Sequence, residues 1–172
     1  MNDCMSDIPV VEVYKKFING EIKRIPECIF NHRQNVQKIM LYLIEDKYNL
    51  SETKFQSQFG LKFLRDNKLR VLSKKYSLWE IIEITYPNKF KIWEFNILKK
   101  EFYKENVQLI MDWLIKEKLN IPEEDFDREC ILKVYEEPVF NKLLCHNNKT
   151  PYQLINMVYV NKLDKSDFKN II

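Results

Sequence analysis

The chain has 172 residues, 45% hydrophobic and 13% aromatic, with a net charge of +3. That length and apolar content suffice for a buried core in one domain or two small ones, which excludes a disordered tail. Two glycines, Gly20 and Gly60, exclude a glycine-rich phosphate loop and a glycine-punctuated dinucleotide crossover.

No run approaches the roughly 18 to 20 apolar residues of a membrane span, and the opening "MNDCMSDIPVVEVYKK" lacks the order of a secretory signal. Cys4, Cys28, Cys130 and Cys145 form no CxxC pair, so the thiols are expected to be reduced. A soluble cytoplasmic protein is the expectation, with no membrane partner.

In chain order, residues 1–34 come first, with Gly20 and Pro26 in "YKKFINGEIKRIPECIFNHRQ". They are expected to form an irregular arm or short helix that covers the end of a helical array. Next comes "NVQKIMLYLI" from Asn35 to Ile44, and the chain returns to it as "NVQLIMDWLI" from Asn106 to Ile115. Only Lys38/Leu109, Leu41/Asp112 and Tyr42/Trp113 differ. Asn35/Asn106 and Gln37/Gln108 match although packing alone would not require them, which argues for duplication rather than convergence.

The correspondence continues at the same offset through Lys47/Lys118, Asn49/Asn120, Glu52/Glu123, Phe55/Phe126, Leu61/Leu132 and Leu72/Leu143. Past a two-residue insertion near "CHNNKTP" it resumes with Ile82/Ile155, Tyr86/Tyr159, Asn88-Lys89/Asn161-Lys162 and Phe95/Phe168. The chain therefore holds two units of about 60 residues, within the range where tandem modules are sought.

Val36, Ile39, Met40, Leu43 and Ile44 recur at helical spacing, as do Val107, Ile110, Met111, Leu114 and Ile115, giving each unit a helix with one buried stripe. A second short helix is expected after Ser51 as N-cap, with Pro122 at the early helical position of the second copy. Phe55 and Phe59, matched by Phe126 and Cys130, are its core anchors. A broken helical stretch comes next over "LKFLRDNKLRVLSKK", then a helix from about Ser77 to Tyr86, stopped by Pro87. "NILKKEFYKE" has no Gly, Pro or Ser and reads as a helical connector.

The predicted fold is all-α: two tandem homologous units of three to four short helices, helix-turn-helix-like and packed as one body. The arm spans 1–34, the first unit 35–95, the connector 96–105 and the second unit 106–172.

The series "FINGEIKRIP", "NVQKIMLYLIEDKYNL", "FLRDNKLRVL" and "SLWEIIEITYPNKFKIWEF" resembles a Firmicutes domain of unknown function that occurs as tandem repeats, each ending in a Tyr-Pro and Trp-Glu-Phe signature. The resemblance covers nearly the whole chain, closely in the first unit and loosely in the second, where "YVNKLDKSDF" lacks the proline and tryptophan. Similar repeats accompany phage and mobile-element proteins that act on DNA, so the resemblance implies a nucleic-acid role, supplies no catalytic residues, and marks the second copy as degenerate or terminal.

The two copies differ most in charge. Residues 62–75 hold Lys62, Arg65, Lys68, Arg70, Lys74 and Lys75 against Asp66, whereas the matching stretch has Lys133 and Lys142 against Glu136 and Glu137. Residues 1–95 carry 16 basic and 12 acidic side chains, and residues 96–172 carry 12 and 13. A small helical unit with a basic element fits the helix-turn-helix plan: Arg65 and Arg70 are candidates for bidentate contact, and the lysines for phosphate contact. The competing reading is a solvated lysine-rich face. Asn67 is a candidate base reader, weighed against a cap or turn role.

"PEEDFDRE", from Pro122 to Glu129, reads as helix-start stabilisation rather than a calcium loop. Cys28 with His32, and Cys145 with His146, lack the doubled spacing of a zinc module, so no metal is expected. Trp79, Trp93 and Trp113 read as core plugs rather than a stacking platform. No catalytic group, cofactor or small-molecule substrate is expected. The leading expectation is a non-enzymatic DNA-binding protein; the alternative is a phage or mobile-element accessory protein that binds a host protein through its helical surface.

Overall fold

The computed structural model describes residues 9–160 and 164–168. The protein is all-α, with no strand among the described residues, and its chain divides into two compact units, Met1–Ile97 and Leu98–Ile172. No helix of the described residues is long and apolar enough to cross a membrane.

The first unit opens with α1 (Val10–Ile18), which buries Val10 and Tyr14 one turn apart. Its end is a Schellman turn: Gly20, at φ +81°, donates to the Phe17 carbonyl and Glu21 to that of Lys16. Left-handed backbone is what glycine supplies cheaply, and it reverses the chain toward a 3-10 turn at Glu27–Asn31 that buries Ile29 and Phe30. The segment expected as an arm therefore belongs to the unit's own core, since Val10, Tyr14, Ile29 and Phe30 lie in one apolar cluster with Ile39 and Ile81.

α2 (Arg33–Leu41) buries Val36, Ile39 and Met40 and runs into a π-turn at Tyr42–Lys47 that buries Leu43 and Ile44. α3 (Glu52–Gln58) starts at Ser51, whose hydroxyl accepts from Lys54 N–H, as expected from the sequence. α4 (Leu61–Asp66) and α5 (Leu72–Lys75) carry the basic stretch. α6 (Leu78–Thr85) begins in a capping box between Ser77 and Glu80, a device worth about 1 kcal/mol, and packs against α2. A 3-10 turn at Ile92–Glu94 comes after it.

In the second unit, α7 (Lys100–Glu105) lies in the segment expected as a helical connector and buries Tyr103. α8 (Val107–Asp112) leads into a π-turn at Trp113–Lys118. Pro122 differs from its expected role. It precedes a 3-10 turn, Glu123–Asp125, and the next α-helix, α9 (Arg128–Glu136), waits for Asp127, whose carboxylate accepts from Cys130 N–H at 3.0 Å. That N–H bond also holds the Asp127 carboxyl below the usual range. A short acidic side chain at this position satisfies the orphan amide of the first turn better than Pro122, at five residues' remove, can do. α10 (Pro138–His146), α11 (Pro151–Ile155) with a Thr150–Gln153 capping box, and a 3-10 turn at Lys165–Phe168 complete it.

Several local devices recur between the units. The two π-turns lie 71 positions apart. Two residues past each lies a left-handed asparagine, Asn49 at φ 45° and Asn120 at φ 49°, a residue that tolerates that region. The matching amides also have work. Asn35 donates to the Ile29 carbonyl at 3.2 Å and Asn106 to that of Phe102 at 2.9 Å, each tying its helix to the element before it. Gln37 donates to the Thr85 carbonyl at the end of α6, and Gln108 to that of Met157, two residues past the end of α11. Buried phenylalanines occupy both sides of the pairs Phe55/Phe126 and Phe95/Phe168. The pairing of Asn88-Lys89 with Asn161-Lys162 falls on residues outside those described.

Candidate nucleic-acid interface

Within α4, Phe63 and Leu64 face the core and Leu61, Lys62, Arg65 and Asp66 face solvent. This is the division a helix of period 3.6 imposes on "LKFLRD". The helix ends in a second Schellman turn, with Lys68 N–H on the Arg65 carbonyl at 3.0 Å and Leu69 N–H on that of Leu64 at 2.7 Å. Lys68 takes the left-handed position at φ 57°, where a non-glycine residue costs about 1 kcal/mol. Its ammonium donates to the carbonyls of Phe17 (3.4 Å) and Ile18 (3.1 Å) at the end of α1, the first of which also accepts the Gly20 N–H, and stands 5.4 Å from the Phe17 ring centre. A cation at a helix C-terminus is favourably placed against the dipole.

Asn67 is a structural hub. It is 3% exposed; its amide donates to the Phe63 carbonyl, its side-chain oxygen accepts from Tyr48 Oη (2.8 Å) and Lys47 Nζ (3.3 Å), and its backbone carbonyl accepts from Tyr14 Oη (2.8 Å). With its amide engaged and its side chain buried, Asn67 is a cap and tie, not a base reader. Burial raises the Tyr14 hydroxyl well above its ordinary pKa, so it remains a donor at physiological pH.

All six basic residues singled out in 62–75 are exposed, but they do not act as one set. Lys62, Arg65 and Arg70 converge with Leu61 and Ser73 on a cleft of about 350 Å³. Ser73 fixes the far wall by donating to the Arg70 carbonyl at 2.8 Å. Lys68 instead belongs to a second cleft, of about 540 Å³, which it shares with Lys23 and Arg24. Lys75 is turned toward the 3-10 turn at Glu27–Asn31, donating to the Glu27 carbonyl at 3.3 Å and to the Asn31 side chain. Lys74 is exposed and lines neither cleft.

The Arg65–Asp66 ion pair, 3.4 Å between exposed groups, is weak and screened, so it leaves the arginine available. Lys23 and Arg24 escape a reading of the sequence because they lie more than 40 positions before Lys68; the two basic letters of "GEIKRIP" are the only local signal.

At the offset of 71, the three cleft cations Lys62, Arg65 and Arg70 correspond to Lys133, Glu136 and Asn141. Nearby, Glu137 pairs with Lys118 at 2.9 Å. The second unit thus carries one cation and one carboxylate where the first carries three cations.

Trp93 and Trp113 are buried, and Trp79 packs edge-on to Phe95 with ring centres 6.5 Å apart. His146 packs against the Tyr103 ring at 5.2 Å. Among the described residues no three His, Cys, Asp or Glu side chains are gathered as a metal site.

Residues 10–91 match the family model described as "Protein of unknown function (DUF4046)". The matched segment contains both clefts. Comparison with curated proteins gives no match, and comparison with solved structures gives none.

Proposed function

We propose that the protein is a non-enzymatic DNA-binding protein whose first unit holds the phosphate backbone in the cleft of Lys62, Arg65 and Arg70. The convergence of these three exposed cations on one concave site, with no carboxylate lining it, is the observation that carries the reading. Phosphate oxygens are the natural partners of such a set, because guanidinium groups grip them in pairs and an ammonium adds a point charge.

The mode of contact is to the backbone. α5 has four residues, a rise of about 6 Å, and α4 has six; neither offers the length of a recognition helix laid in a major groove. The second unit is a worn copy of the first, related by duplication and retained as support. The recurring π-turns, left-handed asparagines and bridging amides support that relation. The tandem-repeat signature, and the origin of the chain among phage or mobile-element proteins of Firmicutes, are part of this proposal.

The alternative, a grip on a host protein, would draw on exposed apolar surface. The exposed large apolar side chains among those described are Tyr48, Leu61, Leu109, Leu132 and Val160, which lie apart along the chain, as on an ordinary surface.

Salt dependence tests the DNA reading. Three neutralised duplex phosphates contribute about −2.7 to the slope of log K against log salt. The triple variant Lys62→Gln/Arg65→Gln/Arg70→Gln is therefore expected to flatten the slope by about that amount, while Lys133→Gln leaves it unchanged. Parental binding without salt dependence, or a triple variant that binds like the parent, overturns the proposal.

A further inference from the structure

We infer that the DNA taken by the first unit is single-stranded, with one unstacked base in the second cleft and the neighbouring phosphates on Lys23, Arg24 and Lys68. This rests on the DNA reading above and goes beyond it in naming the strand state and a second contact site.

The cleft, about 540 Å³, lies within the usual span of ligand sites and has room for a base together with its sugar and neighbouring phosphates. Its character is mixed. Phe17, Ile25, Pro26 and Val71 supply apolar wall, with Phe30 buried behind them. Lys23, Arg24 and Lys68 supply three exposed cations against the single carboxylate of Glu27. The lining favours an occupant that combines an apolar body with adjacent negative charge, a description that a nucleobase attached to its phosphates meets.

The walls are set by the fold. The Schellman turn at Gly20 carries residues 21–26 back past the end of α1, and the hydrogen bonds of Lys68 to the Phe17 and Ile18 carbonyls fix that cation at the rim. An ammonium has three donors, and two carbonyls leave one for a phosphate. A base in a duplex is stacked and paired and cannot enter such a cleft without being extruded, whereas a single strand offers it free. The short α4 and α5, unsuited to groove reading, point the same way.

The test uses the full chain and four fluorescent probes: a short oligothymidylate, an abasic strand with the same number of phosphates, a duplex of the same length, and a peptide alternating Asp with Phe. Anisotropy is read for the parent and for Lys23→Gln/Arg24→Gln, both changes at exposed positions, with circular dichroism to confirm folding.

The expected result is about tenfold tighter binding of oligothymidylate than of either the abasic strand or the duplex. The double variant should lose most of that preference, and its salt slope should fall by about 1.4, from two phosphates on a single strand. Equal binding of thymidylate and abasic strand, or a duplex bound as tightly, overturns the inference and leaves DNA binding through the first cleft standing. So does a double variant that matches the parent. Salt-dependent binding of no nucleic acid overturns both, and capture of the Asp-Phe peptide alone, lost in the double variant, gives the cleft to a protein partner instead.

Discussion

Replacing Phe55 by alanine is expected to lower stability by about 3 to 5 kcal/mol, the range for removing a buried aromatic ring. Phe55 is 1% exposed and its ring meets those of Phe59 (5.3 Å), Tyr86 (5.8 Å), Phe90 (6.1 Å) and Phe95 (5.3 Å). The pairs with Tyr86 and Phe95 are edge-on and add to the stabilisation from the area buried, and the neighbours come from the end of α3 and from residues 86–95, so collapse around the void is resisted by contacts on both sides. Phe126, its counterpart, meets Tyr159 at 5.1 Å. Urea unfolding should show a lower midpoint with little change in slope; a loss under about 1 kcal/mol would mean that the aromatic cluster repacks around the gap.

The next largest effect is expected at the π-turns. Leu43 and Leu114 are fully buried at matching positions, and truncation of either to alanine should cost about 2 to 5 kcal/mol. A π-turn widens the helix by one residue and is sustained only by what packs around it. Amide hydrogen exchange should therefore accelerate first around Tyr48 to Leu50 in Leu43→Ala, where the Leu43 and Ile44 carbonyls hold the Tyr48 and Leu50 amides. It should accelerate around Leu119 to Ile121 in Leu114→Ala, where Leu114 and Ile115 do the same. Exchange unchanged at both places would remove the π-turns from the account of stability.

Much of this architecture is legible in the letters because it depends on local spacing. Val36, Ile39, Met40, Leu43 and Ile44 announce a buried stripe, and the stripe runs unbroken through the π-turn because the extra backbone residue falls at its end. Ser51 and Ser77 announce helix starts through the short side chain that can accept a backbone N–H. What stays hidden depends on distant partners. Asn67 looks like any turn asparagine until Tyr14 and Tyr48 arrive from 53 and 19 positions away. Lys68 and Lys75 look like free cations until α1 and the turn at Glu27–Asn31 present carbonyls to them. Conversely, Lys23 and Arg24 join Lys68 at one cleft only because Gly20 turns the chain back. Pro122 shows the limit of local rules: its fixed φ suits a first helical residue, but Asp127 provides the stronger start.

The amide spectrum of the isotopically labelled chain during titration with a short oligodeoxynucleotide decides whether the first unit holds DNA. Shifts are expected on residues 61–75 and 17–26 of the first unit, diminishing as salt is raised, with the matching stretch 132–146 of the second unit unmoved. Shifts confined to the second unit, or a spectrum that does not change on adding the oligonucleotide, would contradict DNA binding by the first unit.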